Sequence, residues 1–591
     1  MPRPHKRRKN KKVRVGLIIF LVILSLILIT VGILGFRLYK QAKGMYEDAK
    51  TAKQELSGLL DDIKSESFDV AQGKVEHIHE IIKNTRATLE GPIWKYGYKV
   101  PKYGPDYVTG CRLLQIADEM MDKYVDVGFD LLRENPFSTI KIDNTFNVRA
   151  LLNYLEFAES ALPDVQDVVT EVSGMEISLD EDRLLSKYAG KIQSLIDLYH
   201  NAEVYVPLLK AVLANGDDRL YIIAAQNSAE IRACGGFPGA MGTMRIKDGY
   251  MSIGSFASVW DVLTNVIPDL DLITDQEFYL FYSMSFPRDA EYDPYFPTVA
   301  KVWSDSYTAQ MGEHVDGVIS MTPAIIQKIL GCTAPITLDD GTVLDGTNAT
   351  KYIQNEIYMK YLNSEELIYG MDEGNEISDA LFSQVAQLAM GQVFSNISTE
   401  SIPKFMDLVT SGIEERIIMM WMRDPEAENV IRQYGAAGEF NTDPENPELG
   451  VFFSNRNPSK LGWYLDLDIN VGEPSVLDDG SLRYNVSVSM YNTMDWWTAE
   501  YAGYYIAGQP AGYLYSFLHL VAPKGGYISG YWIDNWYWME EDWYMGNQMV
   551  SCRDFTIGPQ ERVTAYFDVT TAPGVTTPLS VTHTPTLQQY R

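Results

Sequence analysis

Arg219-Leu-Tyr-Ile-Ile-Ala-Ala-Gln226 is where the character of this chain changes. The run is short and apolar, so it reads as a buried strand. Ala240-Met-Gly-Thr-Met-Arg-Ile246 and Tyr250-Met-Ser-Ile-Gly254 follow, separated by Lys247-Asp-Gly249, and two strands joined by a Gly-containing loop fit best. Further on, Val315-Asp-Gly-Val-Ile-Ser320 reads as another buried strand. Pro323 opens a helix through Leu330, and Ala349 to Tyr361 is a helix after the Asp339-Asp-Gly341 turn. Interleaved strands and helices predict a mixed α/β domain over 211–425.

Working outward, apolar residues recur at helical spacing from Gln41 to about Tyr205. Examples are Leu113-Leu-Gln-Ile-Ala-Asp-Glu-Met-Met-Asp-Lys-Tyr124 and, after a break near Pro101, Leu184-Leu-Ser-Lys-Tyr-Ala-Gly-Lys-Ile-Gln-Ser-Leu-Ile196. Residues 37–210 are expected to form a helical hairpin or bundle. On the other side, 426–460 is rich in Pro, Gly, Asn and Glu and reads as a linker. Strands with turn signals then recur at Leu482-Arg-Tyr-Asn-Val-Ser-Val-Ser489, Tyr513 to Val521 and Val563-Thr-Ala-Tyr-Phe-Asp-Val569, predicting an antiparallel β-sandwich over 461–591.

Val15 to Phe36 is a run of 22 residues without a charge. As a helix it spans roughly 33 Å, enough to cross a bilayer. Eight Lys and Arg lie in residues 1–14 and the first acidic residue is Glu47, so the N-terminus is expected in the cytoplasm and the bulk of the chain outside. Gly32-Ile-Leu-Gly-Phe36 runs into Arg37-Leu-Tyr-Lys40 with no small-residue cleavage site, so the segment reads as a signal anchor in the plasma membrane. The expected fold class is therefore multidomain α+β: a transmembrane helix, a helical bundle, a mixed α/β domain and a β-sandwich.

Hydrophobic content of 46% argues for folded mass in this 591-residue chain. Beyond Arg14, 41 Lys and Arg face 79 Asp and Glu, a net −38, which excludes nucleic acid as a natural partner. Cys111, Cys234, Cys332 and Cys552 form no CxxC pair, which removes structural zinc and thioredoxin-like chemistry. Buried free thiols and a Cys234–Cys332 bridge both remain open. His77 and His79, two apart on a helix, face different ways and cannot chelate one ion as an i, i+4 pair does. The chain carries no P-loop, HExxH, GxSxG or GxGxxG sequence.

Gln226-Asn-Ser-Ala-Glu-Ile-Arg-Ala-Cys-Gly-Gly-Phe-Pro-Gly239 resembles the signature of the bacterial DUF 4012 family. In that family a strand leads into an Asn-x-Ala-Glu-x-Arg-x-x-Gly-Gly-Phe segment. Gly91-Pro-Ile-Trp94, Phe296-Pro-Thr with Trp303, Val315-Asp-Gly-Val-Ile, Thr333-Ala-Pro-Ile-Thr-Leu with Asp340-Gly341, and Lys460-Leu-Gly-Trp-Tyr-Leu465 extend the likeness. The resemblance implies a single-pass surface protein in the neighbourhood of envelope polysaccharide. Its central domain is distantly similar to the LytR-CpsA-Psr group, which joins lipid-pyrophosphate-linked glycopolymers to the cell wall.

The candidate ligand-binding residues are Asn227, Glu230, Arg232, Gly235, Gly236 and Arg288, and the candidate catalytic residues are Asp289 and Asp316. Arg232 beside Gly235 and Gly236 offers a guanidinium fork and approachable backbone amides for a phosphate or carboxylate. The structural alternative is a Glu230–Arg232 pair, with glycines that permit an unusual turn and tight packing. Ser285-Phe-Pro-Arg-Asp289 resembles the Ile-Pro-Arg-Asp segment whose arginine binds pyrophosphate in LytR-CpsA-Psr enzymes. A surface turn at Pro287 is the other reading. Those enzymes carry a further arginine pair in a helix after a Gly-x-x-Ala element, whereas Gly346-Thr-Asn-Ala349 here leads to Tyr352-Ile-Gln-Asn-Glu356. Asp316, inside an apolar run, either faces a cleft or bonds a neighbouring turn. Six of 11 tryptophans fall between Trp496 and Trp543, among tyrosines and Asp534, Glu540, Glu541 and Asp542. Stacking on sugars and cross-strand packing both account for such a cluster.

The leading expectation is a membrane-anchored extracellular protein that binds or helps assemble envelope polysaccharide, with the α/β domain as ligand site. The alternative is a LytR-CpsA-Psr-like phosphotransferase with Arg232 and Arg288 on the pyrophosphate and Asp289 or Asp316 on a divalent cation such as Mg2+. A structural or adhesive surface protein is the third reading. The partners implied are the plasma membrane and an envelope glycopolymer or lipid-linked glycan.

Overall fold

The computed structural model describes residues 43–91, 94–99, 104–142, 145–174, 189–213, 217–264, 286–361, 377, 380–382, 384–389, 391–392, 402–534, 536–545 and 547–591. The expected anchor, Val15 to Phe36, lies outside them. Among the described residues no helix is long and apolar enough to cross a membrane. The chain divides into two compact units: 1–218 with 246–252 and 394–406, and 219–245 with 253–393 and 407–591.

The first unit is mainly helical, with α1 Lys43–Lys64, α2 Phe68–Leu89, α3 Gly104–Glu134, α4 Val148–Gly174 and α5 Ala189–Leu213. Residues of α2 at three- and four-residue spacing, from Ala71 and Val75 through Ile78 and Ile82 to Leu89, are buried, which is the apolar stripe such helices need. Charged pairs tie the faces together, as between Lys83 and Asp122 at 3.0 Å.

In the second unit, β1 Arg219–Asn227, β2 Phe237–Lys247, β3 Gly317–Met321 and β4 Ile418–Met422 lie in the order β2-β1-β3-β4. β1 and β3 are parallel, Tyr221 facing Gly317 and Ala225 facing Met321, while β4 is antiparallel to β3. Parallel neighbours need a crossover, and α6 Phe296–Met311 supplies it. Pro297 starts this helix, where a missing N–H costs nothing, and Gly312 ends it at φ +73°. Fully buried Trp303 and Phe296 of α6 pack against Leu220, Ile222, Ala224 and Val318 of the sheet. α7 Ala324–Cys332 follows β3.

The C-terminal part holds two five-stranded sheets. Its strands are β5 Glu448–Asn455, β6 Leu465–Val471, β7 Leu482–Asn492, β8 Leu514–Val521, β9 Tyr527–Ile533, β10 Trp536–Met545, β11 Gln548–Ile557, β12 Arg562–Thr570 and β13 Ser580–His583. One sheet runs β10-β11-β8-β5-β13; the other runs β6-β7-β12-β9, with Ser475–Val476 added at β7. Leu449, Val451 and Leu518 of the first sheet share one buried cluster with Val486, Val488, Ala565 and Phe567 of the second. β5 falls inside the expected 426–460 linker. Leu449 to Asn455 is buried throughout, so the polar and turn-forming stretch that precedes it ends earlier than its composition suggested. The sequence expectation of a mixed α+β chain with several sheets and helices matches what is observed.

Candidate functional site

β1 ends in Asn227, whose carboxamide shapes the next turn: Oδ1 accepts the Ala229 N–H at 3.1 Å and Nδ2 donates to Tyr358 Oη at 2.6 Å. The loop then doubles back, the Phe237 N–H donating to Glu230 O. Gly235 has φ +111°, and a Cβ there would lie 2.5 Å from Gln226 Oε1; one on Gly236 would lie 2.3 Å from Asn227 O. Both glycines are therefore required by the close approach of the loop to β1. Neither lines the cavity described next.

The fold-back puts Glu230 and Arg232 beside each other, Arg232 Nη2 lying 3.3 Å from Glu230 Oε1. Lys460 reaches the same carboxylate, Nζ to Oε2 at 2.7 Å. Arg232 also lies over the Tyr292 ring at 4.6 Å. All three line a cavity of about 660 Å³ at the carboxyl ends of β1 and β3, where open α/β sheets place their ligands.

A second wall comes from the 3-10 turn Pro287–Tyr292, braced by the Trp303 indole N–H donating to Pro287 O at 2.9 Å. It brings Arg288 and Asp289 to the same cavity. The Arg288 guanidinium lies 3.9 Å from the Trp260 ring centre and 4.0 Å from that of Phe286. It makes no ion pair among the described residues. A third wall is the π-turn Tyr352–Glu356 and the residues after it, contributing Ile353, Gln354 and Tyr358. Such turns are frequent at functional sites. Phe256, Ile326, Phe382 and Val385 make a flank apolar.

The charges are unevenly balanced. Burial opposes ionisation of Glu230, but the Lys460 and Arg232 charges outweigh it and hold its carboxyl below the usual range. Burial pushes Asp289 up, against the pull of Arg232 and Arg288. Three cations thus face one firmly ionised carboxylate and a second whose charge is discouraged. Several buried polar atoms also have no hydrogen-bond partner among the described residues: Arg232 Nε, both amide atoms of Gln226, and Gln354 Nε2. Buried polar groups are nearly always satisfied, so unmet capacity around one cavity suits a polar or anionic ligand.

Asn227, Glu230, Arg232, Arg288 and Asp289 are therefore brought together. Asp316 is not. Its Oδ2 accepts the Leu220 N–H at 2.8 Å and its own N–H donates to Leu220 O at 2.7 Å, clasping the opposite ends of β1 and β3. Pro323, on the cavity, is seven residues further along an extended path, roughly 20 Å away. Lys460, Gln354 and Trp260 also line the cavity and stand outside the candidate residues that the sequence marks. Lys460 and Gln354 stood in segments already marked by motif, but Trp260 carried no local signal.

The four cysteines are unbridged, so the Cys234–Cys332 pairing does not form; Cys234 Sγ instead lies 3.1 Å from Asp293 O. His77 meets Glu55 and His79 meets Asp118, each at 2.8 Å. His79, Asp118 and Asp122 come close enough to hold an ion, but Arg86 and Lys83 already pair with the two carboxylates. The tryptophans separate: Trp532 lies opposite Tyr566 on adjacent strands, Trp543 packs against the core, and Trp496 and Trp497 stand on a short helix in solvent.

Residues 216–358 match the family model described as Protein of unknown function (DUF4012). That match supports the DUF 4012 resemblance over the segment holding every candidate site residue from Asn227 to Asp316. Lys460 lies beyond it. No curated protein and no solved structure matches the chain.

Proposed function

We propose that this chain binds a phosphorylated, lipid-linked glycan and takes part in assembling envelope polysaccharide, tethered outside the cell through Val15 to Phe36. The observation that carries this reading is the convergence of Arg232, Arg288 and Asp289 on one cavity with an apolar flank. A diphosphate would take charge-assisted hydrogen bonds from Arg288, which has no ion pair among the described residues, and from Arg232. The apolar flank suits a lipid chain and the amides of Gln226 and Gln354 suit sugar hydroxyls. The two C-terminal sheets, read as a sandwich, would serve as spacer or second contact.

Transfer of the glycopolymer, in the manner of the LytR-CpsA-Psr group, is the second reading, favoured by Asp289 beside the two arginines. The residues fit a divalent cation only modestly: Asp289 is the carboxylate with spare oxygens, and Mg2+ commonly takes one or two carboxylates together with substrate phosphates. Such an ion would neutralise developing charge. The helix after Gly346-Thr-Asn-Ala349 presents Ile353, Gln354 and Tyr358 to the cavity, with no arginine pair. Binding without turnover therefore leads.

Full-length protein in nonionic detergent, incubated with polyprenyl-pyrophosphate glycan and Mg2+, should retain the lipid-linked glycan. Arg288→Gln should weaken retention by about tenfold to a hundredfold, the worth of one hydrogen bond to a charged group. Release of polyprenyl phosphate would favour the transferase. Neither retention nor turnover would refute both readings.

A further inference from the structure

Beside the cavity, α8 Trp496–Tyr501 and α9 Tyr504–Ala507 carry an unusual density of exposed rings. Trp497 is 68% exposed and Trp496 57%, with Tyr501 and Tyr504 about half exposed. Each is held by another ring. Trp497 lies against Tyr501, one helical turn on, with centroids 5.1 Å apart; Trp496 meets Tyr513 edge-on at 6.2 Å; Tyr504 meets Tyr505 edge-on at 6.0 Å. These are propped, solvent-facing ring faces, not strand packing. Tyr505 itself lines the cavity, so the Tyr504–Tyr505 pair reaches its wall.

Soluble proteins rarely leave such apolar surface without a partner. The charges nearby narrow the choice. No Lys or Arg occurs between Arg483 and Lys524, Asp495 and Glu500 flank the rings, and Arg591, donating to Thr493 Oγ1 at 2.6 Å, is a cation just before α8. An element lying on an anionic bilayer carries basic residues on its polar face, and this one has none. Rigid aromatic faces beside carboxylate acceptors instead match a neutral pyranose chain, whose C–H faces stack on rings and whose hydroxyls donate to carboxylates.

We propose that Trp496, Trp497, Tyr501 and Tyr504 form a stacking platform for the sugar chain of the ligand, outside the cavity that takes its phosphorylated end. This placement rests on the glycan-lipid reading of the cavity. The platform accepts neutral sugar rings and makes no contact with phosphate.

The test uses full-length protein in nonionic detergent and two probes. One is phosphate-free polysaccharide released by mild acid from the envelope of cells that carry the chain; the other is inorganic pyrophosphate. The polysaccharide should retard the parent in affinity electrophoresis, and Trp497→Ala with Tyr501→Ala should weaken its binding about tenfold, the worth of one or two ring contacts. Both side chains are exposed, and an unchanged urea midpoint checks folding. Arg288→Gln should weaken pyrophosphate binding.

Pyrophosphate binding without polysaccharide binding overturns the platform and leaves the cavity reading standing. Polysaccharide binding without pyrophosphate binding does the reverse. Equal polysaccharide affinity in parent and double variant also overturns the platform. So does quenching of parent fluorescence by brominated lipid in nanodiscs that disappears with Trp496→Phe and Trp497→Phe, because it places the rings in the bilayer.

Discussion

Replacing Lys460 by Met keeps most of the side chain's length while removing the ammonium that lies 2.7 Å from Glu230 Oε2. Lys460 is buried and Glu230 mostly so, with side-chain exposures of 9% and 13%. At an effective dielectric of about 20, two charges at that separation attract by about 6 kcal/mol. Desolvation cancels much of this, and Arg232, at 3.3 Å, still faces the carboxylate in the variant. The expected loss is therefore about 3 kcal/mol, at the low end for breaking one side of a buried pair. Adding Glu230→Gln should restore most of it, because a neutral carboxamide needs no countercharge; the cycle should show about 2 kcal/mol of coupling. Urea denaturation of the full-length protein, followed by tryptophan fluorescence, measures each variant. A loss under about 1 kcal/mol for Lys460→Met, or strict additivity with Glu230→Gln, would refute the account of these residues as one charge-balanced cluster.

Gly236→Ala should destabilise by more than about 1 kcal/mol, since its Cβ would meet Asn227 O at 2.3 Å; an unchanged urea midpoint would contradict this. His519 is buried neutral, burial lowering its pKa from 6.5 to about 3. The unfolded chain thus binds the extra proton in that window, and the contribution of His519 to stability falls as pH drops from about 6.5 towards 3, by about 1.4 kcal/mol per pH unit. His519→Gln should remove that slope, so its stability difference from the parent narrows between pH 7 and pH 5; a constant difference would show the histidine is not buried neutral. Asp316→Asn should leave pyrophosphate affinity within about twofold of the parent, because the side chain serves the backbone of Leu220. A tenfold loss in calorimetry would return Asp316 to the site.

Local pattern was enough for much of this chain. The apolar run 219–226 could not be solvated, so it had to be a buried strand; Pro323 and the Asp339-Asp-Gly341 turn placed the elements after it. The pairing of Glu230 with Arg232 and the packing role of Gly235 and Gly236 were also open readings, because residues two apart and glycines in a loop leave few arrangements. The strand Glu448–Asn455 is hidden in the sequence by the polar, turn-forming composition of its neighbours. Which distant side chains meet was decided by tertiary structure alone. Glu230 and Lys460 are separated by 230 residues, and they meet because the chain returns to the end of β1 after building β5. Arg288 and Asp289 reach the cavity because Trp303 anchors their turn, while Asp316 is carried to the far end of β1 and β3. Spacing along a sequence constrains neighbours within a helix or strand; the parallel pairing of β1 with β3 set which ends face a common cavity.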